Sequence, residues 1–251
     1  MKHHSVVIPL LIMCSSAMAT EVEITTEPEV VENASNPLAK VKNVDLRLQH
    51  FEDKNDRKQN NWSLEGAFMA ADNWKITYEF HYLQTDINGK TEHNPESALL
   101  KAIYFAKDGK WGNTPFRVAT GADIVVDLGD QDKGIGSGSD LFGPFLGVAF
   151  SLNSGQSLIP LVQHYANING PDVSTTAFRV IMLQPLPDQS WLKIDLKMPV
   201  DWAHDNAIPA NFEAQYGMSF NNGIGVYADG LVGIGNDRPY DWGLGLGVRF
   251  S

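Results

Sequence analysis

The chain has 251 residues, a formal net charge of −11, 43% hydrophobic residues and one cysteine. The length suits one domain of ordinary size, and the acidic balance excludes the basic stripe that nucleic-acid binding needs, so no nucleic-acid partner is expected. No mature segment approaches the roughly eighteen uninterrupted apolar residues of a transmembrane helix; strands that alternate apolar and polar residues remain open, because they average out in any hydropathy window.

The first residues read as a targeting leader. Lys2, His3 and His4 are a short basic region, residues 6–13 an apolar run, and Ala17-Met18-Ala19 a small-x-small cleavage site, so 1–19 is expected to be a signal peptide. Met13 before Cys14 fits a lipoprotein signal poorly. Cys14 is the only cysteine, so its loss with the leader excludes disulfide frameworks, cysteine-based zinc sites and thiol nucleophiles. A cysteine-free exported chain suits a Gram-negative envelope with an oxidising periplasm. Residues 20–39 crowd Glu21, Glu23, Glu27, Glu29 and Glu32 together with prolines and no aromatic residue, and are expected to be a flexible acidic periplasmic tail.

From residue 40 to 251 the pattern has period two, the spacing that places alternate side chains on opposite faces of a strand. Trp242, Leu244, Leu246, Val248 and Phe250 alternate with Gly243, Gly245, Gly247 and Arg249. Trp74, Ile76, Tyr78, Phe80 and Tyr82 alternate with Lys75, Thr77, Glu79 and His81. The spacing predicts twelve strands, at 42–51, 62–71, 74–84, 97–106, 115–128, 141–151, 157–167, 174–184, 190–200, 207–220, 223–234 and 241–250. The seventh has the poorest pattern, because Pro160 interrupts it. The expected fold class is all-β, a transmembrane antiparallel up-and-down β-barrel.

Connection lengths test that reading. With both termini periplasmic, the outside connections are 52–61, 85–96, 129–140, 168–173, 201–206 and 235–240, of which the first three are long and polar. The others are 72–73, 107–114, 152–156, 185–189 and 221–222, mostly tight turns. Alternating long and short connections mark extracellular loops and periplasmic turns. Trp62, Trp74, Tyr82, Trp191, Trp242 and Phe250 sit at strand ends, where interfacial aromatic girdles lie. The apolar face is therefore assigned to lipid and lipopolysaccharide.

The polar face becomes the lumen. Its acids are Asp45, Glu65, Glu79, Asp123, Asp127, Asp195, Glu213 and Asp229; its bases are Arg47, Lys75, Lys101, Arg117, Arg179, Lys193, Lys197 and Arg249, with His81 beside Glu79. The two sets are equal in size, which predicts ion-paired cross-links and a narrow or partly filled channel rather than a one-sign selective pore.

Motifs for chemistry are sparse. There is no H-E-x-x-H, phosphate loop or G-x-S-x-G, so no catalytic residue, metal ligand or cofactor is assigned. Gly134, Gly136 and Gly138 fall in a loop with no helix pattern after it. Gln163-His164-Tyr165-Ala166-Asn167 resembles the His-x-Ser strand of outer-membrane phospholipases, but Ala166 stands where the nucleophile is required. Asp201, Trp202, His204 and Asp205 form a short outer loop whose residue types would suit a metal or ligand, but the expected reading is a plain loop.

Asn36-Pro37-Leu38-Ala39, Phe142-Gly143-Pro144, Gln184-Pro185, Asp201-Trp202 with Ile208-Pro209, and Tyr240-Asp241-Trp242-Gly243-Leu244 before Arg249-Phe250 together resemble the outer-membrane β-barrel proteins grouped with the meta-pathway phenol-degradation family. The likeness covers most of the mature chain. It departs at the end, where Ser251 stands in place of the terminal aromatic residue read by the barrel-assembly machinery, and Phe250 is the substitute. The resemblance implies a transporter-like barrel and carries over no catalytic residue. The expectation is a passive channel for small solutes, apolar or aromatic among them, with a closed structural or surface-interaction barrel as the alternative and a lipid-modifying enzyme as a third reading.

Overall fold

The computed structural model describes residues 32–152 and 155–251; the expected leader and residues 20–31 lie outside them. The described residues form twelve strands: β1 (Asn43–Glu52), β2 (Lys58–Ala71), β3 (Trp74–Thr85), β4 (Glu92–Trp111), β5 (Thr114–Asp127), β6 (Asp140–Ser151), β7 (Ser157–Asn169), β8 (Ser174–Pro185), β9 (Ser190–Asp201), β10 (Ala210–Ser219), β11 (Ile224–Ile234) and β12 (Trp242–Phe250). Each pairs antiparallel with its neighbours in sequence, and β1 pairs with β12, from Val44 opposite Phe250 to Glu52 opposite Trp242. The sheet is thus a closed barrel with no free edge, the form in which strands satisfy every backbone group inside a bilayer.

The period-two pattern sorts the faces as expected. On β12 Leu246 is 66% exposed and Arg249 7%, and on β1 Leu46 is 52% exposed and Asp45 2%. Apolar residues cover the outside and charges turn inward, the reverse of a soluble barrel. Trp191 is the exception to the expected girdle: it is 1% exposed and lies inside. It precedes Leu192 on β9, so strand parity sends it inward with Lys193 and Asp195.

Several connections are shorter than expected. The strands of the first hairpin zip from Glu52 opposite Lys58, leaving only 53–57 as the turn. Strand β4 continues to Trp111, so the expected connection 107–114 shrinks to 112–113. A bulge between Phe105 and Lys107 shifts the register there, so the alternation breaks without ending the strand. The seventh strand is regular toward β8, with Pro160 opposite Val180. Toward β6 the register skips both Pro160 and Pro144, since neither can donate to that seam.

Residues 32–39, expected as the end of a mobile tail, are folded into the barrel. Asn36 N–H donates to Asn33 O (2.8 Å), Ala39 N–H to Asn36 O (3.0 Å), Ser35 N–H to Asn33 Oδ1 (2.8 Å) and Leu38 N–H to Asn36 Oδ1 (2.8 Å). These are two consecutive Asx-type turns, which give the backbone local partners without a strand. They aim Leu38 into a buried cluster with Ile103, Phe105, Ala119, Phe145, Ala149, Ile159 and Ile181. Burying one such leucine contributes about 1.5–3 kcal/mol, which offsets part of the cost of ordering the segment.

Candidate functional site: the barrel interior

The interior is organised around the inserted segment at the end of the barrel that carries the short turns. Three of the expected lumen cations hold it. Lys75 Nζ on β3 donates to the carbonyls of Pro37 (3.3 Å) and Ala39 (2.9 Å). Arg117 on β5 donates to the Leu38 carbonyl (3.2 Å) and to Glu32 (2.8 Å), and its Nε donates to Asp108 (2.9 Å). Arg249 on β12 donates through Nη1 to Ser35 Oγ (3.0 Å) while its other nitrogens bond Asp45 (2.7 Å to Oδ2). Ser35 Oγ in turn donates to Gln215 Oε1 (3.0 Å).

Strands β8 to β11 and β1 carry a continuous charge network. Arg47 Nη2 lies 2.8 Å from Asp229 and 3.2 Å from Glu213. Lys193 Nζ is 2.7 Å from Glu213 and 4.0 Å from Asp195, and Asp195 accepts from Arg179 through both carboxylate oxygens. Gln49 and Gln215 also donate to Asp229, and the Tyr227 hydroxyl donates to Asp45 (3.2 Å). Two glycines of β12 make room for this packing. A Cβ at Gly245 would collide with the Asp229 carboxylate, and one at Gly247 with the Tyr227 ring, so both side chains lie flat across β12.

The opposite wall is different. Lys101 pairs with Asp123 (3.1 Å), which also accepts from Gln163 (2.8 Å) and Tyr165 (3.1 Å). Glu79 faces His81 at 3.4 Å, and Glu65 accepts from Ser63 (2.6 Å). Glu65 and Glu79 are direct cross-strand partners. Lys197, on β9, has no carboxylate within ion-pair distance among the described residues and is open to the lumen. Asp127 has a different role from the lining one expected: it accepts from the N–H groups of Gly129 (3.3 Å) and Gly138 (2.8 Å) and so ties down loop 128–139. That loop lies against its neighbours, with Asn88 donating to the Asp132 carbonyl and Ser139 to the Pro171 carbonyl.

Two cavities adjoin the inserted segment. One, of about 210 Å³, is bounded by Ser35, Pro37, Glu65, Glu79, Lys101, Arg179 and Lys193 among others. The second, of about 170 Å³, lies over Pro37 and Leu38 and reaches Lys101, Arg179 and Lys197. The structure therefore brings most of the expected lumen charges together, but as pairs and clamps. The neutral partners Gln215, Gln163, Tyr165 and Tyr227 carry no formal charge and escaped a charge-based reading; their inward parity was the available signal.

His164 lies outside this interior. It shares the outward parity of Val162 and Phe178, and its Nδ1 lies 3.0 Å from Thr176 Oγ1, to which Trp202 Nε1 also donates (2.9 Å). No group of three or more His, Cys, Asp or Glu side chains fit to hold a metal occurs among the described residues.

No family model and no curated protein matches the chain. Solved structures do. An outer-membrane channel from Pseudomonas putida F1 superposes with a TM-score of 0.64 at 11% identity, over 88% of this chain and 99% of that one. The NanC porin gives 0.63 at 10% identity over 83% and 99%. Escherichia coli outer membrane phospholipase A gives 0.53 at 11% identity over 88% and 95%. Identities this low speak for architecture alone, and the architecture of this chain is that of the outer-membrane β-barrels.

Proposed function

We propose that the barrel is a passive outer-membrane channel for small solutes, apolar or aromatic ones among them, seated with its short turns and both termini on the periplasmic side after removal of residues 1–19. The observation that carries this reading is the pair of polar-lined cavities inside the barrel. A purely structural barrel gains nothing from interior space, since each void forfeits packing. Lipid and lipopolysaccharide would surround the apolar belt, and β12 with Phe250 would engage the assembly machinery. The likeness to the phenol-degradation group rests on the sequence motifs and gives the aromatic preference its motive.

Liposome swelling with the purified, heat-modifiable protein tests the channel: solute-dependent swelling is expected. Absence of swelling with every small solute would leave the closed structural barrel, a reading favoured by the inserted segment 32–40. A second function has one observation in its support. The Thr176 hydroxyl beside His164 supplies the nucleophile–base contact that Ala166 denies. Phospholipid hydrolysis lost in Thr176→Val would establish it, and absence of hydrolysis by the folded protein would remove it.

A further inference from the structure

The cavity beside Leu38 combines apolar and cationic lining. Leu38, Ile103, Phe145 and Leu161 line it together with Lys101, Arg179 and Lys197. Its volume of about 170 Å³ is comparable to the ~150 Å³ apolar cavity that accepts a benzene ring. Two of the three cations are already neutralised, Lys101 by Asp123 and Arg179 by Asp195. The polar neighbours are committed as well. Gln163 Nε2 donates to Asp123 (2.8 Å) and to the Gly143 carbonyl (3.0 Å), and the Tyr165 hydroxyl donates to Asp123. Lys197 is the lining cation that makes no ion pair or hydrogen bond among the described residues. Glu79 borders the same cavity from β3 and keeps its contact with His81, so a second negative charge on that side would be repelled.

We propose that this cavity binds a single-ring monocarboxylate, with the ring on Leu38, Phe145 and Leu161 and the carboxylate accepting from Lys197. The Lys197 ammonium, which Asp195 and Glu79 attract only from a distance, then gains a direct hydrogen-bond acceptor, and the ring displaces water from apolar walls. Glu79 and its histidine set the polarity, admitting one carboxylate at the Lys197 side and disfavouring a dianion. The site rests on the channel reading for its purpose but not for its existence, because binding can be measured without transport.

Calorimetric titration of the folded protein in detergent with sodium benzoate, benzyl alcohol and benzylamine tests it. Benzoate is expected to bind more tightly than the other two. Lys197→Gln should weaken benzoate about three- to tenfold and leave benzyl alcohol within about twofold, as expected for one partly solvated charge-assisted bond. Lys197→Arg should restore the preference, which separates a lost charge from a disturbed barrel. Equal or tighter binding of benzylamine, or benzoate affinity unchanged in Lys197→Gln, overturns the site. Benzoate binding without liposome swelling would sink the channel and keep the site; swelling without benzoate binding would do the reverse.

Discussion

The two walls of the interior are built on opposite principles. From β8 through β11 to β1, carboxylates and cations alternate so that Arg47, Asp229, Glu213, Lys193, Asp195 and Arg179 form one connected set. From β4 to β8, Leu38 of the inserted segment packs into an apolar cluster with Ile103, Phe105, Ala119, Phe145, Ala149, Ile159 and Ile181, beside a cavity that Lys101 and Arg179 also line. A charge network needs its full complement of partners, since removal of one ion strands another in a poorly solvated space. An apolar wall tolerates incomplete filling better, losing contact energy in proportion to the void. The first wall therefore binds its strands together through ion pairs, while the second holds the inserted segment beside a cavity.

Breaking the charged wall should have the largest effect. Arg47→Ala leaves Asp229, whose side chain is fully buried, and Glu213 without their shared cation. A loss of about 3–5 kcal/mol is expected, seen as a lowered thermal unfolding midpoint in detergent. A barrel that unfolds at the wild-type temperature would show that lumen water solvates this network freely.

On the apolar wall, Leu38→Ala should cost about 2–5 kcal/mol if the segment contributes to global stability. The more telling measurement is conductance. Deletion of residues 33–39 should raise single-channel conductance while leaving the heat-modifiable mobility shift intact. Unchanged conductance would mean that the inserted segment does not limit passage.

A smaller effect is expected where packing alone is disturbed within the charged wall. Gly247→Val pushes a side chain into the Tyr227 ring and strains its bond to Asp45, for about 1–3 kcal/mol. The smallest effect belongs to Lys197→Gln, which removes a charge that makes no ion pair among the described residues and should move stability by no more than about 0.5 kcal/mol. A large destabilisation there would show that Lys197 supports the charged strands among which it lies.

Strand number, order and facing were legible because the signal repeats. Leu244, Leu246 and Val248 against Gly245, Gly247 and Arg249 determine a face without reference to any other strand. Errors came where a local rule competed with parity. Trp191 sits at a strand end, so girdle position argued for lipid, yet its place before Leu192 sends it inward. Lys107-Asp108-Gly109-Lys110 reads as a turn, yet the β4 bulge carries the strand through it and sets Asp108 against Arg117.

By itself the sequence determined that the chain forms a barrel, which residues face outward and which charges turn inward, because strand periodicity is a local property of the backbone. Only the tertiary structure decided which charges pair and what fills the interior. Lys75, Arg117 and Arg249 come from three distant strands, and nothing in their spacing shows that they converge on one short segment. Asn33 and Asn36 carry turn chemistry, but a turn becomes a plug only when a closed ring of strands surrounds it. Ion pairing and enclosure are long-range outcomes of closure, and closure is decided when β12 meets β1.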